Sequence, residues 1–130
     1  MIYIDTSALV KLLFEEPESL ALTNWLTSRA NVPKVSSDLS TVELLRTCQR
    51  IDEGALDDAR RLLGGIDLLP IDHVVVEQAA AIAPRELRSL DAIHLASALS
   101  LKPDLTGFLA YDARLCSAAA RAGLLVVSPT

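Results

Sequence analysis

The sequence predicts an α/β fold on a parallel sheet, and three observations carry that prediction. Short apolar runs alternate with segments of helical periodicity, two of those runs end in an aspartate that opens a helix, and one helix is apolar on nearly every side. Strands that alternate with helices imply a parallel sheet covered on both faces, joined by right-handed crossovers. In open sheets of this kind ligands bind beyond the carboxyl ends of the strands. Candidate chemistry is therefore sought at the strand-to-helix junctions.

The elements follow in order. Ile2 to Ile4 is a short apolar run ending at Asp5, and Ala8, Leu9, Leu12 and Leu13 then recur at helical spacing. Pro17 is expected to open a second helix through Trp25 and Leu26, broken by Asn31 and Pro33. Lys34 to Ser37 forms a brief strand, and the next segment is an amphipathic helix with Leu39, Val42, Leu45 and Cys48 inward. After Gly54, residues 55–63 make another helix, closed by Gly64 and Gly65. Ile66 to Ile71 reads as a strand and Val74 to Ile82 as a helix stopped by Pro84. Ser89 to Leu101 is the all-round apolar helix, expected to be buried on every side. Thr106 to Tyr111 is a strand that meets Asp112, then a helix closed by Gly123, and Leu124 to Val127 is the last strand.

The chain has 130 residues, half of them apolar, which suits one domain spanning 1–130 with a sizeable core. No apolar run reaches the roughly 18 residues a membrane span needs. The opening MIYIDTSALV has no basic leader, so a soluble cytoplasmic protein is expected. Cys48 and Cys116 lie far apart in apolar helical patterns and are expected to be structural thiols. A net charge of −5 argues against a nucleic-acid partner only on average. If several acids converge on one cation, Lys11, Arg46, Arg85, Arg88 and Arg114 remain as the charges near those segments.

Four carboxylates stand out. Asp5 and Asp112 each sit where a strand becomes a helix, where an aspartate also serves as an N-cap. Asp91 stands near the start of the buried helix, so its charge must lie at the surface or in a polar pocket. Glu43 fits a capping box with Ser40, or lies one turn inside a helix that begins at Asp38. Together, four acids facing one sheet edge would repel one another and must take up protons or share a cation. An all-oxygen donor set without a Cys or His cluster suits magnesium or manganese, and that chemistry suits phosphodiester hydrolysis.

The segments Ile2–Leu9, Thr41–Leu44, Leu90–Ala98 and Tyr111–Leu115 resemble the four acidic motifs of PIN domains, most closely those of VapC toxins from bacterial toxin–antitoxin pairs. The stretch DAIHLASAL is the most specific piece, and the resemblance covers essentially the whole chain in order. It implies a three-layer sandwich around a five-stranded parallel sheet and a magnesium-dependent endoribonuclease, with Mn2+ as a possible substitute. It also implies a homodimer and a cognate VapB-type antitoxin whose tail occupies the cleft. Asp5, Glu43, Asp91 and Asp112 are then the catalytic, metal-holding acids, with Thr6 or Ser7 supporting them by hydrogen bonding. Some relatives carry a further acid or amide after the fourth motif. Here Arg114 and Cys116 occupy that stretch, which leaves a second metal position open.

Arg46, Arg88 or Arg114 would hold the RNA backbone beside the scissile phosphate. His94 shares a helix face with Asp91 and is read as a packed or supporting residue rather than a base. His73 carries no functional signal, and Trp25 suits core or dimer packing. A phosphoacceptor receiver domain would need paired acids after the first strand and Lys-Pro after the last, whereas Lys102-Pro103 follows a helix. A haloacid-dehalogenase-type phosphatase would need an aspartate where Ser7 stands. An inactive PIN-like binding module is the remaining alternative, and all four acids are present.

Overall fold

A computed structural model describes residues 1–130. Five parallel strands, β1 (Ile2–Ile4), β2 (Lys34–Ser37), β3 (Asp67–Leu69), β4 (Gly107–Leu109) and β5 (Val126–Val127), form one sheet in the order β3-β2-β1-β4-β5. The chain runs outward from β1 through β2 to β3, then returns to the other side of β1 as β4. The order therefore reverses between β1 and β4, which makes that crevice the switch point where α/β sheets bind ligands.

Alternation along the strands divides the core in two. Ile2 and Ile4 of β1 and Leu109 of β4 face a layer made of α1 (Thr6–Leu13), α2 (Ser19–Thr27), α3 (Asp38–Ile51) and α4 (Leu56–Gly64). There they pack with Leu9, Leu22, Leu44, Cys48 and Leu63. Tyr3 points the other way with Val35, Phe108 and Ala110, against α6 (Ser89–Leu99) and α7 (Ala113–Arg121), while α5 (His73–Ala80) packs on α6. Tyr3 and Phe108 stack with ring centroids 5.4 Å apart. A central strand buried on both faces has no polar side to spare, which is why IYI and GFL lack the polar alternation of a half-exposed strand. The predicted three-layer α/β sandwich is the observed fold.

Element boundaries differ in places. Pro17 does not open α2. It lies in a turn before Ser19, whose hydroxyl donates to the Lys11 carbonyl at 2.6 Å and accepts from the Glu16 amide at 2.9 Å, fixing the α1–α2 corner. The third, fourth and fifth strands are shorter than their apolar runs, because ladder pairing ends before the hydrophobic pattern does. In α6, burial is continuous only from His94 to Ala98; Leu90 at its start is 48% exposed. Cys48 is buried, Cys116 is half-buried, and both are free thiols. No helix is long and apolar enough to cross a membrane.

Candidate active site

Asp5 follows β1 and caps α1. Its Oδ2 accepts from the Ser7 amide at 3.1 Å and the Ser7 hydroxyl at 2.6 Å, while its amide donates to the Leu109 carbonyl at 2.9 Å. The Ser7 hydroxyl oxygen in turn accepts from the Tyr111 amide at 3.0 Å, so one serine ties the end of β1 to the end of β4. Asp112 caps α7 through Oδ1, which accepts from the Leu115 amide at 2.9 Å. Both aspartates are therefore N-caps, as the simpler reading of the sequence has it. Capping occupies one oxygen of each carboxylate. The other oxygen, Oδ1 of Asp5 and Oδ2 of Asp112, turns to a cationic or ionisable partner: His94 Nε2 at 3.6 Å and Arg88 Nη2 at 3.6 Å. Structural and chemical roles divide between the two oxygens.

Glu43 reaches the same edge from α3. That helix starts at Asp38, with Ser37 as the cap accepting from the Leu39 amide, so Glu43 lies in the second turn and no capping box forms with Ser40. The Ser40 hydroxyl is instead buried beside those of Ser36, 2.6 Å away, and Thr6, 3.1 Å away. Oε1 of Glu43 accepts from the Thr6 hydroxyl at 2.7 Å and lies 2.6 Å from His94 Nε2. Partial burial alone would raise this carboxyl, but the bonds from His94 and Thr6 outweigh it and hold the group below its ordinary value.

Asp91 stands in the first turn of α6, whose cap residue Arg88 supplies no side-chain capping bond. Instead Arg88 folds back: its Nε donates to Asp91 Oδ2 at 3.2 Å while its Nη2 faces Asp112. Burial raises the Asp91 carboxyl above its ordinary value; Arg88 opposes the rise, and the negative charges of Asp5 and Asp112 add to it. His94, one turn on, is 1% exposed; its Nδ1 lies 2.8 Å from the Tyr3 hydroxyl and its Nε2 next to Glu43. Burial would lower the imidazole, but the bond to Glu43 and the charge of Asp5 prevail and raise it.

All four predicted acids thus meet at one sheet edge, linked in pairs, Asp5 and Glu43 through His94, Asp91 and Asp112 through Arg88. Two further features escaped the sequence. Tyr3 is the second anchor of His94, and nothing in an apolar strand marks one tyrosine as a hydrogen-bond donor. Arg88 is an intramolecular counter-ion, recognisable beforehand only as an arginine at spacing i, i+3 from Asp91. In this arrangement no three acid, histidine or cysteine side chains are spaced to enclose a single ion, since Glu43 is turned to His94 and Arg88 faces both Asp91 and Asp112. The donor set nevertheless suits a hard cation. It consists of carboxylate oxygens, and Asp91, raised mainly by burial, also feels the negative charges of Asp5 and Asp112, which a divalent ion would offset.

Comparison with known proteins identifies the family. The PIN domain family matches residues 2–126. Ribonuclease VapC47 of Mycobacterium tuberculosis (strain CDC 1551 / Oshkosh) is 46% identical over 132 residues, covering 99% of this chain and 97% of that protein. Ribonuclease VapC46 of Mycobacterium tuberculosis (strain ATCC 25618 / H37Rv) is 44% identical over 129 residues, with 99% and 98% covered. Among solved structures, a toxin-antitoxin complex from Klebsiella pneumoniae superposes with a TM-score of 0.73 at 22% identity, covering 100% of this chain and 98% of that one. The sarcin-ricin-loop-cleaving toxin VapC20 of Mycobacterium tuberculosis gives 0.73 at 21% identity, with 99% and 100% covered. The two structures share the fold, and the two sequence relatives match this chain almost end to end. The chain belongs to the PIN domain family and, within it, to the VapC type.

Proposed function

We propose that this protein is a metal-dependent endoribonuclease, the toxin of a toxin–antitoxin pair, with Asp5, Glu43, Asp91 and Asp112 holding Mg2+ or, in its place, Mn2+. The observation that carries the reading is the meeting of these acids, contributed by four separate elements, at the switch point between β1 and β4. The naming of full-length relatives as ribonucleases supports the choice of RNA as substrate. The likeness to a chain of a toxin-antitoxin complex supports an antitoxin, of the VapB type, as partner. A homodimer in the cytoplasm completes the proposal.

When bound, the cation supplies charge neutralisation at the phosphoryl oxygens and a more acidic water. The protein's own residues do the rest. Asp5 and Asp112, each held by a capping bond, present their second oxygens from helix starts, so the capping bonds orient them before substrate arrives. His94, clamped by Tyr3, holds Glu43 in place. Arg88 moves from the carboxylates to the phosphate as negative charge enters the cleft, because its side chain is 68% exposed and its two contacts are ion pairs of 3.2 and 3.6 Å.

The test is RNA cleavage by Asp5→Asn and Asp91→Asn with added Mg2+ and Mn2+, alongside thermal melting. Cleavage is expected to fall by at least a hundredfold in each while the melting temperature holds. Full activity in both variants removes the proposal.

A further inference from the structure

Of the twelve lysines and arginines, six make no ion pair or side-chain hydrogen bond: Arg46, Arg50, Arg60, Arg85, Arg114 and Arg121. Two of them, Arg114 and Arg121, line one groove of about 600 Å³ between α7 and the segment that precedes α6. They are seven residues apart on α7 and so share a face, roughly 10 Å apart along the axis. Ser117 lies between them, and Pro84, Leu87, Ala113 and Ala118 make an apolar floor. One end of the groove lies at the site: Leu87 adjoins Arg88, which faces Asp112, and Asp112 is the cap of the same α7.

Resting on the ribonuclease reading, we propose that this groove is the track for the single-stranded RNA backbone leaving the scissile phosphate, with Arg114 and Arg121 each taking a phosphate and Ser117 a sugar or phosphate oxygen. Free guanidiniums on one helix face suit phosphates in sequence, which paired surface cations do not. No aromatic side chain lines the groove, so no base can stack there and the contact reads backbone rather than sequence. Glu86 is the one acid in the lining and opposes the strand.

Three opposed substitutions test this on the full chain, with a labelled single-stranded RNA of mixed sequence bound under chelator so that nothing is cut. The double variant Arg114→Gln/Arg121→Gln is expected to bind at least tenfold more weakly, with a salt slope shallower by about 1.4, the value for two phosphate contacts on a single strand. Arg114→Lys/Arg121→Lys keeps the charge and is expected to keep the slope. Glu86→Gln is expected to bind more tightly. The charge-matched control Arg60→Gln/Arg61→Gln, on α4 and outside the groove, keeps wild-type affinity.

Wild-type affinity and slope in the Arg114/Arg121 glutamine variant, or an equal loss in the control, overturn the track while leaving the nuclease reading standing. Unchanged RNA binding with weaker binding of a polyglutamate peptide gives the groove to an acidic protein instead. A wild-type protein that neither binds nor cleaves RNA overturns both.

Discussion

The imidazole Nε2 of His94 lies 2.6 Å from Glu43 Oε1, with the histidine sealed from solvent at 1% exposure and its other nitrogen against the Tyr3 hydroxyl. The geometry accommodates both protonation states, since Nδ1 accepts from Tyr3 when the ring is neutral and donates when it is charged. The two groups move in opposite directions: His94 is raised above its ordinary 6.5 and Glu43 lowered below its ordinary 4.5. A raised histidine contributes stability that is fully present below about 6.5 and is lost as pH rises through its folded value. A lowered glutamate contributes stability that is present above about 4.5 and is lost as pH falls through its folded value. The metal-free protein is therefore expected to exceed His94→Gln in melting temperature most between about pH 4.5 and 6.5, with the margin shrinking on both sides. A pH-independent margin in melts from pH 3 to 9 would show that the pair does not ionise together.

Asp112 separates capping from chemistry. Asparagine retains a side-chain oxygen for the Leu115 amide, whereas alanine does not. Asp112→Asn is expected to melt within about 0.5 kcal/mol of wild type and Asp112→Ala about 1 kcal/mol lower, with RNA cleavage lost in both. Equal stability in denaturant titrations of the two variants would mean that the capping bond contributes nothing.

Four acids that repel should be relieved by a divalent ion. Mn2+ at a hundred times its dissociation constant is expected to stabilise the protein by about 2.7 kcal/mol at neutral pH. The gain is expected to diminish as pH falls through the raised Asp91 carboxyl, because a protonated acid does not ligate. Asp91→Asn should abolish most of it. Calorimetry that finds the same Mn2+ stabilisation in this variant would place the ion elsewhere.

The fold itself leans on α6. Leu95 is fully buried between Tyr3 and α7, so Leu95→Ala is expected to cost about 2–5 kcal/mol in urea unfolding. Val74, 60% exposed on α5, should tolerate alanine within about 0.5 kcal/mol. A cost at Val74 approaching that at Leu95 would reveal that α5 is covered by another chain.

The layered architecture was legible because its signals are local. IYI and GFL, buried on both faces, read as strands from composition, and acids at their ends read as the starts of helices. The four acids were legible one by one, and as a set through their resemblance to PIN motifs. Their partners were not. Arg88 reaches Asp112 across two loops, and Tyr3 meets His94 ninety-one positions away. Such pairings are decided by how layers stack, which no local window contains. The start of α2 was misplaced for a related reason: Pro17 fits a first helical turn, but the tertiary anchor at Ser19 sets where the turn begins.

The Ser7 hydroxyl that joins Asp5 to the Tyr111 amide closes a span of 104 residues. Asp5 leans on β4 and meets Asp112, both of which lie on the far side of that span. A ribosome-bound chain cut off before β4 holds two or three of the acids and no closed edge to mount them on. The site is therefore all-or-none: its acids acquire their mounting only when β4 closes against β1.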